Sequence, residues 1–543
     1  MAYGILQKLV RNDAISEDPP CIYGRRLIYH TLAAGLGALS VGVHELIAPS
    51  VAMDPAFASR FGLNRSTLAQ RSMFSMDLNT TYWMAGFAGA LLSILIATRL
   101  GRRNALLVAA LITLIGDAIE IGSWGRIAAF YVGRFLSGVG TGIFSVVTPI
   151  FLAEHSPRAI RGILVSTYVV LWLFGVWLGQ WILYGNNLHT PIGDEHWTVP
   201  LAVQTAPIIL FMVAMFYCSD TPRSLVLRGK GDLAHLVLAR MRNLDPSDSY
   251  VRDEVSAIQG QASTVHRGIF TIFRFKPYRN RMLIAVGLSI LKVFSGEDSL
   301  DVRISYIFFD LRQLSLQDRN LLSTTLYTGL CFLSAMLFAL FVVDGFAGRR
   351  KSLLWMIPFQ IICLCISGAM GALYANGVGM QVVVYVELAF LYICACVNWL
   401  GLGTVPTVYV AEIPDTEMRM ATAGIAGAMQ KLFYMGLYRA LPYMIAYIGQ
   451  NNVGYGVQFI FAVCCMVAWI FVKKFVPETK GVSLESMSLL FNPTSTSAND
   501  PQTNPLADPE HNAAVAKQER ENDSTSETDV SERGQSRHLN KSF

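Results

Sequence analysis

Long apolar runs separated by short polar breaks fill most of the chain, and the runs have the length a bilayer requires. About 20 mainly apolar residues cross a hydrocarbon core. Segments of that kind lie near 27–48, 82–100, 105–124, 128–152, 163–184, 198–218, 282–308, 321–343, 352–374, 381–411, 419–449 and 453–475. The pattern predicts an all-α polytopic membrane protein with twelve transmembrane helices in two six-helix halves. Its expected parts are an N-terminal segment 1–26, a bundle 27–218, a connector with short helices 219–281, a second bundle 282–475 and a tail 476–543. In the connector, "DLAHLVLARMRNL" has apolar residues at helical spacing and predicts a short amphipathic helix. From 489 onward Ser, Thr, Asn, Asp and Glu dominate, a composition that cannot bury enough surface to fold alone and predicts disorder.

Composition agrees with this reading. The 543 residues are 53% hydrophobic and 15% charged, where a soluble chain has about 25% charged residues. Lys and Arg gather in "TRLGRR", "RAIRG", the connector and "AGRRK", which fall on one side of the expected topology. By the positive-inside rule both termini are cytoplasmic in a multi-pass protein, expected at the plasma membrane. The net charge of +5 is accounted for by these loops, so no nucleic-acid partner is implied; the lipid bilayer is. The first run follows the polar stretch "RNDAISEDPPCIYGRR" and does not read as a cleavable leader. Asn64 and Asn79 begin N-x-S/T sequons in the expected first outer loop, as glycosylation sites or by chance.

Little points to bound cofactors or catalysis. Most of the nine cysteines fall inside apolar runs, and neither Cys394-Ala-Cys396 nor Cys464-Cys465 has a companion His/Cys cluster. They read as small packing residues and not as metal ligands. "GVGTG" at 138–142 has no following Lys-Ser/Thr and reads as helix packing, as do Gly86 and Gly89. No cofactor is expected, and no nucleophile–base pair suggests an enzyme.

The two halves repeat each other. "TRLGRRNAL" after the second run matches "VDGFAGRRKSLL" after the eighth, and "PIFLAEHSPRAIRG" matches "PTVYVAEIPDTEMR". Repeated halves around a midplane cavity are the build of many secondary transporters. In the first half Arg102, Arg103 and Arg161 stand near Glu154; in the second Asp344, Arg349, Arg350 and Arg419 accompany Glu412. Opposite charges at helix ends can latch the two bundles on the cytoplasmic side, with Glu478 bracing the closed face. The arginines could also serve topology alone.

These motifs resemble the sugar porters of the major facilitator superfamily. The resemblance rests on "GRFLSGVGTGIFSVVTPIFLAEHSPRAIRGIL" at 133–164, "DTPRSLVLRGK" at 220–230 and "VPETKGVSLESM" at 476–487, and extends over roughly 27–487. It implies the facilitator fold and alternating access. It also implies which positions face the cavity, and most of them are rewritten here. Val169, after Tyr168, stands where the family has a sugar-contacting Gln. The seventh-span motif Q-Q-x-[ST]-G-x-N reads Lys292-Val293-Phe294-Ser295-Gly296-Glu297-Asp298. The family's P-W is Pro406-Thr407, and its N-W is Gln430-Lys431. In the first half Ile94 and Thr98 replace the Gly and Asp of G-x-x-x-D-R-x-G-R-R, which predicts weaker latching there and a protein resting more often inward-open.

Lys292 lies 11 residues beyond Arg281 and Lys431 lies 12 beyond Arg419. At 1.5 Å per residue both are about 16–18 Å deep, near the middle of the bilayer. Intramembrane lysines either pair with acids, for example Lys431 with Asp298, or face a polar or anionic solute. The resemblance further places a proton-accepting acid where this chain has His44, next to Glu45, within reach of Arg134; Asp117 in the third run is another candidate. The expected function is secondary active or facilitative transport of a sugar, polyol or hydroxylated organic acid, anionic or neutral, with protons as a second cargo. A non-transporting nutrient sensor on the same scaffold is the alternative.

Overall fold

The computed structural model describes residues 15, 18–63, 68–263, 271–297, 299, 300, 303, 304, 307, 325–377, 380–448, 455–484, 487 and 491. Residues 1–487 form one compact unit. Among the described residues ten helices are long and apolar enough to cross a membrane: Pro20–Val51, Met73–Leu100, Arg102–Ile121, Ile127–His155, Arg158–His189, Asp194–Phe216, Leu326–Phe346, Gly348–Ala375, Val382–Trp399 and Gly456–Phe475. Two more helices stand where the seventh and eleventh spans are expected, Lys276–Val293 and Arg419–Tyr447. Their cavity and helix-end charges dilute their apolarity. The protein is an integral, multi-pass membrane protein.

Several boundaries differ from expectation. The second helix runs from Leu68 to Leu100, so Asn79 lies inside it and not in a loop; Asn64 lies outside the described residues. The seventh helix stops at Val293, well short of 308, because Gly296 takes φ +90 and turns the chain. Asp298 falls outside the described residues, as does nearly all of the polar tail. The sixth span is broken between Val203 and Ala206. The tenth is broken between Trp399 and Val405, where two glycines and Pro406 interrupt an apolar run. Near the end of the eighth, Phe338–Phe346 is π-helical and kinks at Gly345.

Small residues set the spacing of the first half. A Cβ on Gly89 would lie 2.1 Å from the Val139 carbonyl, and one on Gly142 would lie 2.2 Å from that of Gly86. The second and fourth helices therefore touch backbone to backbone, a contact that favours association in lipid. At the end carrying the basic loops, Gly101 (φ +90) and Gly348 (φ +77) reverse the chain before the third and ninth helices. An acid from a later motif caps each of these helices. Asp220 accepts from the amides of Arg102 and Arg103, both at 3.1 Å, and Glu478 accepts from those of Arg349 and Arg350, both at 3.0 Å. Glu478 thus braces its own half, where the sequence suggested a brace across both.

In the connector, Gly231–Arg242 forms the expected helix and packs through Leu238 and Ala239 against Val251 and Val255 of Ser249–Ser263. The segment before the first span is tied to it. Asp18 is buried and accepts from Tyr23 (3.0 Å) and Tyr250 (3.2 Å). Burial pushes its carboxyl above the usual range, against the pull of those hydroxyls and of Arg158.

Candidate substrate cavity and its closure

Both halves line a cavity of about 400 Å³, of the size that holds a small polar molecule. Tyr168, Val169, Lys292, Thr407, Gln430 and Lys431 all line it, as do Glu45 and Glu297. Toward the far end the lining continues to Ser50, Met53 and Ser75. Toward the basic-loop end it stops near Ile150 and Ala423, four residues above Glu154 and Arg419.

The two lysines have similar surroundings. Each is 7% exposed. The Lys431 ammonium lies 4.3 Å from the Trp83 ring centroid, and Trp83 is itself stacked on Tyr434. The Lys292 ammonium lies 5.6 Å from Trp399 and 6.0 Å from Trp172. Among the described residues neither ammonium makes an ion pair or hydrogen bond. Aromatic faces attract cations by their quadrupole, on the order of 2 kcal/mol when desolvated, which is less than a carboxylate offers. Glu45, whose Oε2 accepts from Trp172 Nε1 at 2.9 Å, acts on both lysines at longer range.

A second polar cluster lies on the first, third and fourth helices. His44 turns away from the Arg134 guanidinium: its Nε2 meets Asp117 at 2.9 Å and its Nδ1 the Ser40 carbonyl at 2.7 Å. Arg134 donates to the His44 backbone carbonyl at 2.8 Å, lies 4.0 Å over the Tyr82 ring and reaches Asn79 at 3.5 Å. His44 thus pairs with Asp117 and not with the Arg134 guanidinium, while the neighbouring Glu45 lines the cavity. Gln204, at the break in the sixth span, donates to Glu120 (3.2 Å) and Asp117 (3.5 Å). Glu120 was not anticipated. An i, i+3 pair of acids in an apolar helix puts both on one face, and that spacing is the signal for it.

At the basic-loop end, the repeated motifs build two clusters. Glu154 accepts from Arg102 at 3.3 Å and from Thr221 at 2.5 Å; Glu412 accepts from Arg349 at 2.8 Å and Thr479 at 2.8 Å. At this end contacts cross between the halves. Arg419 reaches Glu154 at 3.3 Å, the Ile163 amide donates to Asp344 at 2.7 Å, and Arg161 donates to the Val482 carbonyl at 3.1 Å. Arg103 and Arg350 take no part in these. They donate to backbone carbonyls of Met215 and Phe216, and of Lys473, inside their own halves. This end is therefore closed in this conformation. The reason is that Glu154 recruits Arg419, a contact that does not need the acid missing at Thr98.

Comparison with known proteins agrees with the geometry. The model of the sugar (and other) transporter family matches residues 31–491. A quinate permease of Neurospora terricola is 27% identical over 88% of this chain and 91% of its own length. A quinate permease of Emericella nidulans is 28% identical, with the same shares. Among solved structures, the proton:xylose symporter XylE bound to 6-bromo-6-deoxy-D-glucose superposes with a TM-score of 0.75 at 22% identity, over 86% of this chain and 99% of that one. The fucose transporter FucP in its outward conformation superposes at 0.58 and 13%, over 83% and 99%. With the motifs of both halves inside the matched range, the chain belongs to the sugar (and other) transporter family of the major facilitator superfamily.

Proposed function

We propose that the protein is a secondary transporter that moves a hydroxylated carboxylic acid across the plasma membrane by alternating access, together with a proton. One observation carries this reading: two buried lysines face the same cavity, and neither has an acid bonded to it among the described residues. Buried cations left without partners are costly, and intramembrane charges facing a cavity mark a solute path. A carboxylate would supply the missing partner, while Thr407, Gln430 and Tyr168 offer groups for hydroxyls. The relatives named quinate permeases fit this chemistry, since quinate is a cyclohexane polyol with one carboxylate.

The His44–Asp117–Glu120 cluster supports proton coupling. It holds two acids and a histidine in contact within the membrane, and Arg134 ties it to the first helix beside Glu45. The basic-loop end is cytoplasmic in this reading, with both termini inside. Glu154, Arg102, Arg419, Asp344, Arg349, Glu412 and Arg161 then form the inner gate.

Quinate uptake into proteoliposomes, with and without a pH gradient, tests the proposal. A charge-assisted hydrogen bond is worth about 1.5–3 kcal/mol, so K292Q or K431Q should weaken quinate by roughly ten- to a hundredfold and the neutral polyol myo-inositol far less. Equal losses for both ligands, with recovery on adding D298N, would instead identify internal ion pairs. Binding without accumulation would identify a sensor.

A further inference from the structure

The second half contains a polar junction that the cavity does not use. Gln360, on the ninth helix, is fully buried and donates from Nε2 to the Ser295 carbonyl at 2.8 Å and to Asn398 Oδ1 at 3.1 Å. Both partners sit at breaks. Ser295 lies in the turn that ends the seventh helix, between Val293 and the positive φ of Gly296, so its carbonyl has left the helical ladder. Asn398 opens the interruption of the tenth span, where its own carbonyl accepts from the amides of Gly401 (3.0 Å) and Gly403 (2.8 Å).

Each break also carries one member of a cavity pair. Lys292 is three residues before Ser295, and Trp399 follows Asn398; the Lys292 ammonium lies 5.6 Å from the Trp399 ring. Gln360 therefore ties together, from behind, the two backbone turns whose residues meet in the cavity. Ser295 Oγ, Gln360 Oε1 and Asn398 Nδ2 are buried without a hydrogen-bond partner among the described residues. Buried polar groups are ordinarily satisfied, so a junction with three unused valences has spare partners to exchange as the helices around it shift.

We infer that Gln360 and Asn398 form a clasp that couples the break in the seventh span to the break in the tenth and thereby positions Lys292 for the solute carboxylate. The clasp acts through Lys292, so both are positioning residues, and the inference rests on the reading of Lys292 as the carboxylate anchor. Gln360→Leu keeps the volume and removes the donor.

Equilibrium binding of quinate and of myo-inositol to the full-length protein in lipid nanodiscs tests the clasp, with melting temperature measured alongside. Expected for Q360L is a loss of quinate affinity of about tenfold, the size of one hydrogen bond to a charged system, and a loss for myo-inositol at least threefold smaller. Equal losses for the two ligands in Q360L, or a preference unchanged from the parent, overturn the clasp. K292Q serves as the separating arm. If K292Q favours myo-inositol and Q360L does not, the clasp fails and the anchor stands; if K292Q shows no preference, both fail. Should Q360L not fold, hydrogen exchange of the unsubstituted protein decides. Quinate must change protection of 294–300 and 399–404 together, and a change in only one segment refutes the coupling.

Discussion

The two charged clusters at the basic-loop end come from one repeated motif, yet they join the halves by different atoms. In the second half the motif acid survives as Asp344, which bonds Arg349 at 2.6 Å and reaches across to the Ile163 amide. In the first half its counterpart is Thr98, whose hydroxyl turns back to the Ile94 carbonyl of its own helix. Glu154 carries the crossing there, holding Arg102 from its own half and Arg419 from the other. This end is therefore latched without the motif acid of the first half, through a second acid. Motif loss is a poor guide to energy where several charges share one buried site, because such networks are not sums of pairs.

The sharpest way to break this comparison is to neutralise the two glutamates separately. Glu154→Gln strands two buried arginines from opposite halves, and removing one partner of a buried pair costs about 3–5 kcal/mol. It should open the basic-loop end strongly, read as modification of a cysteine probe placed at Ala423. Glu412→Gln strands one arginine that still has Asp344 and should open it less. Equal opening would mean that the crossing contact at Glu154 carries no special weight.

Asp344→Asn comes next. The amide oxygen can still accept from Ile163, but the ion pair with Arg349 is lost, so a shift of about 1.5–3 kcal/mol toward the open end is expected. Double electron–electron resonance between labels on the two halves would record it. Thr98→Asp should act in the opposite direction and more weakly, by about 1 kcal/mol, since the end is already closed. An unchanged distance distribution would show that the first half gains nothing from the motif acid.

The smallest effects belong to the helix caps. Asp220→Ala and Glu478→Ala each remove acceptors from the start of one helix, worth about 0.5–2 kcal/mol. They should lower the melting temperature alike. A much larger fall for one would show that it also holds the halves together.

Much of this was legible in the residues. Twelve apolar runs, the repeated Gly-Arg-Arg turns and the cavity positions of Lys292, Thr407, Gln430 and Lys431 can be read from spacing and resemblance. The orientation of His44 could not, because a residue's place on a helix does not say which neighbour its ring will choose when Asp117 and Arg134 both lie near. The roles of Trp83, Trp172 and Trp399 were hidden for the same reason: aromatic residues in apolar runs look like core until a cation from another helix is placed over them. Asp220 reads as a loop acid and Glu478 as a brace of the closed face, and only the fold reveals that each lies over the first amides of a helix.

A carrier that has released its cargo must return empty, and that return sets how fast it can work against a gradient. Two bare ammonium groups in a narrowing cavity would make the empty return slow. Lys431 comes from the second half and Trp83 from the first, and Lys292 likewise approaches Trp172 of the first half. In the proposed transport of a carboxylate, the rings would act as placeholders that shelter the cations between loads, and would give them up because their attraction is weaker. Removing Trp83 should therefore slow net uptake more than exchange of labelled for unlabelled solute, since exchange never requires the empty crossing.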